Sequence, residues 1–242
     1  MRIAVAGGTG VVGRHIVRLA REAGHEVVVL SRSEGVDLVT GAGLDLSGVD
    51  AVIDASGPRP MRRATEFFEA VTGKLLRAGE AAGVRHHVAL SIVGAAANPH
   101  GYYAAKARQE QLVTASAVPH TVLRTTQFFE FAEQTAIALG PLVLTAVMRS
   151  QPVAAESVAR RLVELAEGEP LGIAPDFAGP DELRMVDLTR MALETRGLRK
   201  AVIAVPMPGA FGKVLRNGGI LPGPGAQIDT VSYEDWLAAG AH

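Results

Sequence analysis

Apolar residues along this chain gather in short runs, separated by longer stretches in which they recur every three or four positions. The runs are RIAVA (2–6), EVVVL (26–30), VDLVT (36–40), AVID (51–54), HHVALS (86–91) and HTVLR (120–124). Their near-continuous hydrophobicity suits strands covered on both faces rather than one. Between the first two lies VVGRHIVRLAREAG, apolar at helical spacing, with Gly24 placed as a C-terminal stop. The same spacing predicts a helix from roughly Ala64 to Ala82, ended by Gly83, and another through Tyr102 and Lys106 to about Ser116, ahead of Val118-Pro119. Strand and helix alternate, which implies an α/β fold with a parallel, doubly wound sheet.

After about Phe128 the pattern changes. Helical stretches are predicted around Phe129–Leu139, Glu156–Glu167 and Asp187–Arg196, mixed with short strand candidates such as AVIAVP (201–206). The stretch NGGILPGPGAQ (217–227) is loop by composition. Residues 1–127 are therefore expected to form the core and residues 128–242 a smaller α/β lobe packed on it, without becoming an independent domain.

With 48% hydrophobic and 20% charged residues over 242 positions, the chain can bury a large core and is not disordered. Lys+Arg 24 against Asp+Glu 25 leave a net charge of -1, so there is no basic footprint for nucleic acid. Cysteine is absent, which removes disulfides and thiolate metal sites and is compatible with a reducing cytosol. The start, MRIAVAGGTG, breaks into glycines before a signal-peptide core can build. The longest uncharged apolar run, Thr135 to Met148, is interrupted by Gly140 and Pro141 and is too short to cross a bilayer. A cytoplasmic, soluble monomer or homodimer is expected, with a small-molecule substrate and neither nucleic acid nor membrane as partner.

The first strand runs directly into GGTGVVG, Gly7 to Gly13, and then into a helix. Gly7, Gly10 and Gly13 are spaced by threes, and Gly8, Gly10 and Gly13 satisfy G-x-G-x-x-G. Glycines there permit a tight turn and let a pyrophosphate approach the backbone, while the helix N-terminus offers unpaired N–H groups and a favourable dipole. The strand–loop–helix context at the chain start is the one this motif requires. Dinucleotide sites commonly carry an acid after the second strand to hold the adenosine ribose. Here the position reads VVVLSRS, with Ser31 and Arg32 and no acid before Glu34. An arginine and a hydroxyl can bind a 2′-phosphate that an acid would repel. Arg14, immediately after Gly13, could reach the same phosphate. NADP(H) is thus favoured, with NAD(H) as the alternative; otherwise both arginines are solvated surface charges.

Together GGTGVVGR, ASGP (55–58), SIVG (91–94) and YYAAK resemble the short-chain dehydrogenase/reductase superfamily, a Rossmann-fold group. VLRTTQFFEF (122–131), PVAAESVARRLVELA (152–166) and SYEDWL (232–237) are similar to its atypical, NmrA-like NAD(P)H-binding branch. The resemblance implies cofactor contacts from Gly7, Thr9, Gly10, Val11, Val12, Gly13 and Arg14, then from Ser31, Arg32, Ala55, Ser56 and Gly57, and finally from Lys106, Thr126 and Gln127. It also implies a catalytic set of Ser91, Tyr102 and Lys106. The tyrosine would exchange a proton with a substrate oxygen that the serine hydrogen-bonds. The lysine would lower the tyrosine pKa and hold the nicotinamide ribose. Tyr102 and Lys106 stand at i and i+4, one turn apart on one helix face; Tyr103 is out of that register. The competing reading is a packing aromatic beside a solvated lysine. The sequence departs from the family pattern in two places. Only ten residues separate Ser91 from Tyr102, and TGAGL (40–44) stands where relatives often have an Asp at the adenine.

Of the seven histidines, His86, His87 and His100 lie nearest this chemistry, but none sits at metal-ligand spacing, and no metal is expected. Phe128, Phe129 and Phe131 are expected to line the wall between cofactor and lobe, or to pack in the core. Arg62-Arg63 could meet an anionic substrate, but reads better as a solvated helix start. The expected activity is hydride transfer between NADP(H) and a small carbonyl, enone or quinone. The alternatives are a non-catalytic NAD(P)-sensing regulator and an NAD-dependent epimerase or dehydratase acting on a nucleotide sugar.

Overall fold

The computed structural model describes residues 1–58 and 61–240. In chain order its first elements are β1 (Arg2–Ala6), α1 (Gly13–Glu22), β2 (Glu26–Leu30), β3 (Ala51–Asp54), α2 (Ala64–Ala82), β4 (His86–Ile92), α3 (Gly101–Thr114) and β5 (His120–Thr125). The expected parallel α/β sheet is present, with strand order β2-β1-β3-β4-β5. Ala6 pairs with both Leu30 and Asp54, and Asp54 in turn with Ala89, so the carboxyl ends of β2, β1, β3 and β4 line up along one edge. In an open parallel sheet, ligands collect outside that edge.

Ile3 to Ala6 and Ala51 to Asp54 are buried throughout, as a sheet covered on both faces requires. Helix α2 buries Ala64, Phe68, Val71, Leu75 and Leu76 at i, i+3 and i+4 spacing. It stops at Gly83, whose φ of 71° is the left-handed conformation a helix-ending glycine adopts cheaply. Helix α3 is different. Its buried face carries Lys106, Gln109 and Glu110 beside Tyr103, Ala105 and Val113. A helix pays heavily for burying such groups unless each one is hydrogen-bonded.

One predicted strand is absent. VDLVT is a turn region following a single 3-10 turn at Arg32–Glu34. The Asp37 carboxylate accepts from the amides of Val39 and Thr40 at 2.8 and 3.3 Å, a local alternative to ladder pairing. Gly35, Gly41 and Gly43 all have positive φ and punctuate the segment. Val36 is still buried, so the apolar pattern reported burial correctly and strand wrongly.

The later elements are α4 (Phe131–Thr135), β6 (Ile137–Leu139), β7 (Leu142–Ala146), β8 (Arg149–Ser150), α5 (Ala155–Glu167), β9 (Gly172–Ile173), β10 (Phe177–Ala178), β11 (Leu183–Arg184), α6 (Met185–Thr195), β12 (Ala201–Val205), α7 (Gly209–Arg216), β13 (Gln227–Ile228) and α8 (Tyr233–Ala238). The chain divides into two compact units, one of residues 1–124 with 158–175 and the other of 125–157 with the chain from 176 onward. In the first unit β9 pairs in parallel with β5. In the second, β6 and β7 form an antiparallel hairpin across Gly140 and Pro141, with β12 parallel to β7. The helix expected over Phe129–Leu139 is thus cut to one short helix, because Ile137 to Leu139 pair with β7 instead. Phe129, Tyr233 and Trp236 pack ring against ring in this unit, with centroids 5.2 to 5.7 Å apart. Among the described residues no helix is long and apolar enough to cross a membrane.

Candidate dinucleotide site

At the carboxyl end of β1 the chain turns at Gly7, whose φ is 77°. A Cβ on Gly7 would lie 2.8 Å from Ala55 O and from Ser56 Cα, so this loop rests directly on the turn after β3. A Cβ on Gly13 would overlap the Gly7 carbonyl oxygen, and one on Gly8 would lie 2.9 Å from Val29 Cγ1. Gly10 and Gly57 are different: a Cβ on Gly10 would meet Gly7 O at a tight 3.2 Å, and one on Gly57 would meet nothing within 4 Å among the described residues. Gly7, Gly8 and Gly13 are therefore required by the protein's own packing, while a side chain on Gly10 would be tight only against the Gly7 carbonyl oxygen.

Helix α1 begins with no side-chain cap and no acid in its first turn. Among the described residues the amides of Thr9, Val11 and Val12 find no acceptor. Free N–H groups at an uncapped helix start form an anion site. The residues fit a dinucleotide: Gly7 to Arg14 would hold its pyrophosphate, and the bound cofactor would supply hydride chemistry. After β2, Ser31 is extended and shares a 2.8 Å hydrogen bond with Ser33 Oγ. Arg32 is exposed and makes no salt bridge among the described residues. Arg14 is also exposed, its Nε 3.4 Å from His15 Nε2.

The three residues expected to do chemistry have other partners. Ser91 Oγ donates to Glu110 Oε1 at 2.6 Å, and Arg124 closes on the same carboxylate with two bonds of 2.9 and 2.7 Å. Lys106, only 3% exposed, donates from Nζ to Leu90 O at 2.8 Å and to Gln109 Oε1 at 2.9 Å. Its ammonium sits 4.2 Å from the centroid of Phe68 and 5.8 Å from that of Tyr102, over the rings and not at the phenol oxygen. The half-buried Tyr102 makes no hydrogen bond among the described residues. Burial, then the Asp54 carboxylate and Tyr103, push its pKa up, so it is a neutral phenol that can donate a proton but is a poor base. Ser91, having spent its proton on Glu110, can accept a hydrogen bond but has none left to give a carbonyl. Thr126 and Gln127 lie in the second unit, buried, with Thr126 Oγ1 donating to Gln151 O and Gln127 Oε1 accepting from Ser150 Oγ.

Asp54, Gln109, Glu110 and Arg124 were not singled out by sequence. Each carried a faint signal: a charge ending an otherwise apolar strand for Asp54, a charge inside a strand for Arg124, and positions three and four after Lys106, on its own helix face, for the other two.

Burial lowers the Lys106 pKa from 10.5 to about 8, against the raising influence of Asp54 and Glu110. The unfolded lysine keeps its proton between those values while the folded one releases it, so the unfolded state binds more protons and stability rises with pH across that window. Wild-type protein should gain on the order of 2–3 kcal/mol between pH 8 and 10 in urea titrations, and Lys106→Met should lose that slope. Above pH 10 the elevated Tyr102 pKa acts in the opposite sense. A wild-type slope matching that of Lys106→Met would mean that Lys106 keeps its proton when folded.

The model of the NAD(P)H-binding family matches residues 44–169, slightly more than half of the chain. The chain belongs to this NAD(P)H-binding family. It is 38% identical over 117 residues to the photosystem II assembly factor Ycf39 of Synechocystis, covering 41% of this chain and 36% of that one. To the epimerase family protein SDR39U1 of Mus musculus it is 40% identical over 83 residues, covering 31% and 28%. These alignments span about a third of the relatives' own lengths. Among solved structures, the Escherichia coli NADPH-dependent quinone oxidoreductase QOR2 complexed with NADPH superposes with a TM-score of 0.72 at 15% identity, covering 99% of this chain and 100% of that one. MoeE5 in complex with UDP-glucuronic acid and NAD gives 0.72 at 16%, covering 98% and 97%. At such identities the likeness is one of fold.

Proposed function

We propose that this protein binds NADP(H) in preference to NAD(H) and uses it to reduce a small quinone or enone, as an NmrA-like member of the short-chain dehydrogenase/reductase superfamily. The observation that carries the reading is the uncapped α1 N-terminus behind the glycine turn, with Arg32 exposed and outside any salt bridge among the described residues after β2. An arginine there can make a charge-assisted bond to a 2′-phosphate, which only NADP(H) carries. The acceptor class follows from the state of the acid groups. Reducing a simple ketone develops a localised alkoxide, which needs a proton donor at the oxygen. Hydride addition to a quinone or enone leaves a charge delocalised over the conjugated system, and solvent can protonate it afterwards. With Ser91 Oγ committed to Glu110 and Tyr102 a weak acid, the second class is favoured.

The test is NADPH oxidation against a panel of quinones, enones and ketones, with cofactor affinities measured beside it. Arg32→Glu should raise the Kd for NADPH at least tenfold more than that for NADH. Tyr102→Phe should leave both affinities intact and slow quinone reduction less than tenfold, while any ketone turnover falls by roughly 10². Equal effects of Arg32→Glu on the two cofactors would remove the NADP assignment.

A second reading, a nucleotide-sensing regulator without turnover, is favoured by one observation: Ser91 and Lys106 both direct their donors into the protein interior. Tight NADPH binding with no acceptor reduced would select it.

A further inference from the structure

A chain of hydrogen bonds runs from α3 to the turn after β3 on which the glycine turn rests, and the chemistry above does not use it. Lys106 Nζ donates to Gln109 Oε1 at 2.9 Å, and Gln109 Nε2 donates to Asp54 Oδ2 at 3.0 Å. Thr72 Oγ1 adds a longer bond of 3.3 Å to the same oxygen. The other carboxylate oxygen, Asp54 Oδ1, accepts from Ser56 N at 3.0 Å and from Ser56 Oγ at 2.6 Å. Ser56 Cα and Ala55 O are the atoms against which Gly7 packs so closely that no Cβ fits. Ala55 N in turn donates to Ala6 O, the last residue before that turn.

We propose that Asp54 is a positioning residue for dinucleotide binding: it fixes the Ala55–Ser56 turn against Gly7, and Gln109 and Lys106 act through it. The inference rests on the cofactor lying at the glycine turn. Asp54 is fully buried at the end of a central strand, where an aliphatic residue would serve packing alone. A carboxylate there costs desolvation, and it is accommodated by four donors and a lysine drawn into the interior. Two of those donors belong to one residue, Ser56, and together they curl the chain out of β3 as an aspartate-centred turn does. The Gln109 amide has a fixed orientation, because its oxygen must face the ammonium and its nitrogen the carboxylate. The chain therefore has one arrangement, and the Ser56 turn inherits it. This also gives Lys106 a role that does not require contact with the nicotinamide ribose. The ammonium sets Gln109, Gln109 sets Asp54, and Asp54 sets the surface on which the pyrophosphate loop rests.

The experiment measures NADPH and NADH affinity together with melting temperature for Asp54→Asn, Gln109→Met and the double variant. Each single change should raise Kd for both cofactors about tenfold, the effect of one misplaced buried contact, because the pyrophosphate loop serves both equally. The double variant should be no weaker than the worse single one, since both cut the same chain. Val122→Ala, a core cavity in β5 outside the chain, should lower the melting temperature and leave Kd within twofold. If Asp54→Asn does not fold, Gln109→Met carries the test alone. Folded variants with wild-type Kd and a lowered melting temperature would overturn the positioning role and leave cofactor binding standing. A wild-type protein that binds neither cofactor would overturn both.

Discussion

Gly13→Ala should weaken dinucleotide binding by roughly 10² or more, whereas Gly10→Ala should cost the free protein much less stability. The difference lies in what a new methyl group would meet. At Gly13 it would overlap the Gly7 carbonyl oxygen and stand 2.7 Å from Gly8 Cα and 2.8 Å from Gly7 C. These are backbone atoms of a turn already fixed by the Gly10 N to Gly7 O bond of 2.9 Å, so nothing can rotate aside. The helix start must then move away from the turn, separating the amides of Val11 and Val12 from the loop that would share an anion with them. Overpacking of this kind costs about 1–3 kcal/mol, and a chain of this size loses roughly 2–4 °C per kcal/mol. The expected melting temperature is therefore several degrees lower, with NADPH affinity down by roughly 10² or more. At Gly10 the contact is a tight 3.2 Å to Gly7 O, relieved by a shift of a few tenths of an ångström, and φ is not positive, so alanine costs the free protein less than it does at Gly13. A larger change, Gly10→Val, should still remove NADPH binding, because the space it fills is where a pyrophosphate would approach. Calorimetry of the folded variants decides it: Gly13→Ala binding NADPH as wild type does would mean the turn and helix do not form one anion site.

The contrast between these glycines marks how far the sequence could be read. The spacing G-x-x-G-x-x-G located the loop because only glycine answers the steric demand there, and demand of that kind is written in one residue type. Helix α2 was legible in extent and stop for a similar reason, with apolar positions on one face and a glycine at its end. VDLVT misled because β-branched residues satisfy burial whether or not the backbone pairs, and Asp37 supplied the turn with its own acceptors. In the site, Tyr102 and Lys106 share a helix face as their spacing required, but spacing does not say what lies opposite that face. Opposite Lys106 are a backbone carbonyl from β4 and a glutamine from its own helix. Which donor meets which acceptor across a sheet depends on register between β3, β4 and β5, and no local pattern encodes it.

Glu110→Ala should be among the most destabilising single changes in the first unit. Glu110 is 7% exposed, and its two oxygens accept three bonds, one from Ser91 Oγ and two from the half-buried guanidinium of Arg124. Bidentate, charge-assisted bonds of 2.7–2.9 Å are the strong kind, and removing the carboxylate takes both of them from the half-buried guanidinium and the 2.6 Å bond from the buried Ser91 hydroxyl. Breaking such a pair from one side typically costs about 3–5 kcal/mol, so the midpoint of thermal unfolding should fall by roughly 10 °C. Removing both charges is a different case. Glu110→Leu combined with Arg124→Leu replaces the pair with apolar groups and escapes the uncompensated charge, so the double variant should be clearly more stable than Glu110→Ala. Glu110→Gln should fall between wild type and Glu110→Ala, because it keeps an oxygen for Ser91 and loses the ionic half of the contact with Arg124. Urea unfolding of the four proteins gives the ordering directly. If Glu110→Ala were as stable as wild type, Arg124 and Ser91 would have to find equivalent acceptors elsewhere, and the commitment of the Ser91 proton, on which the preference for a quinone or enone rests, would fall with it.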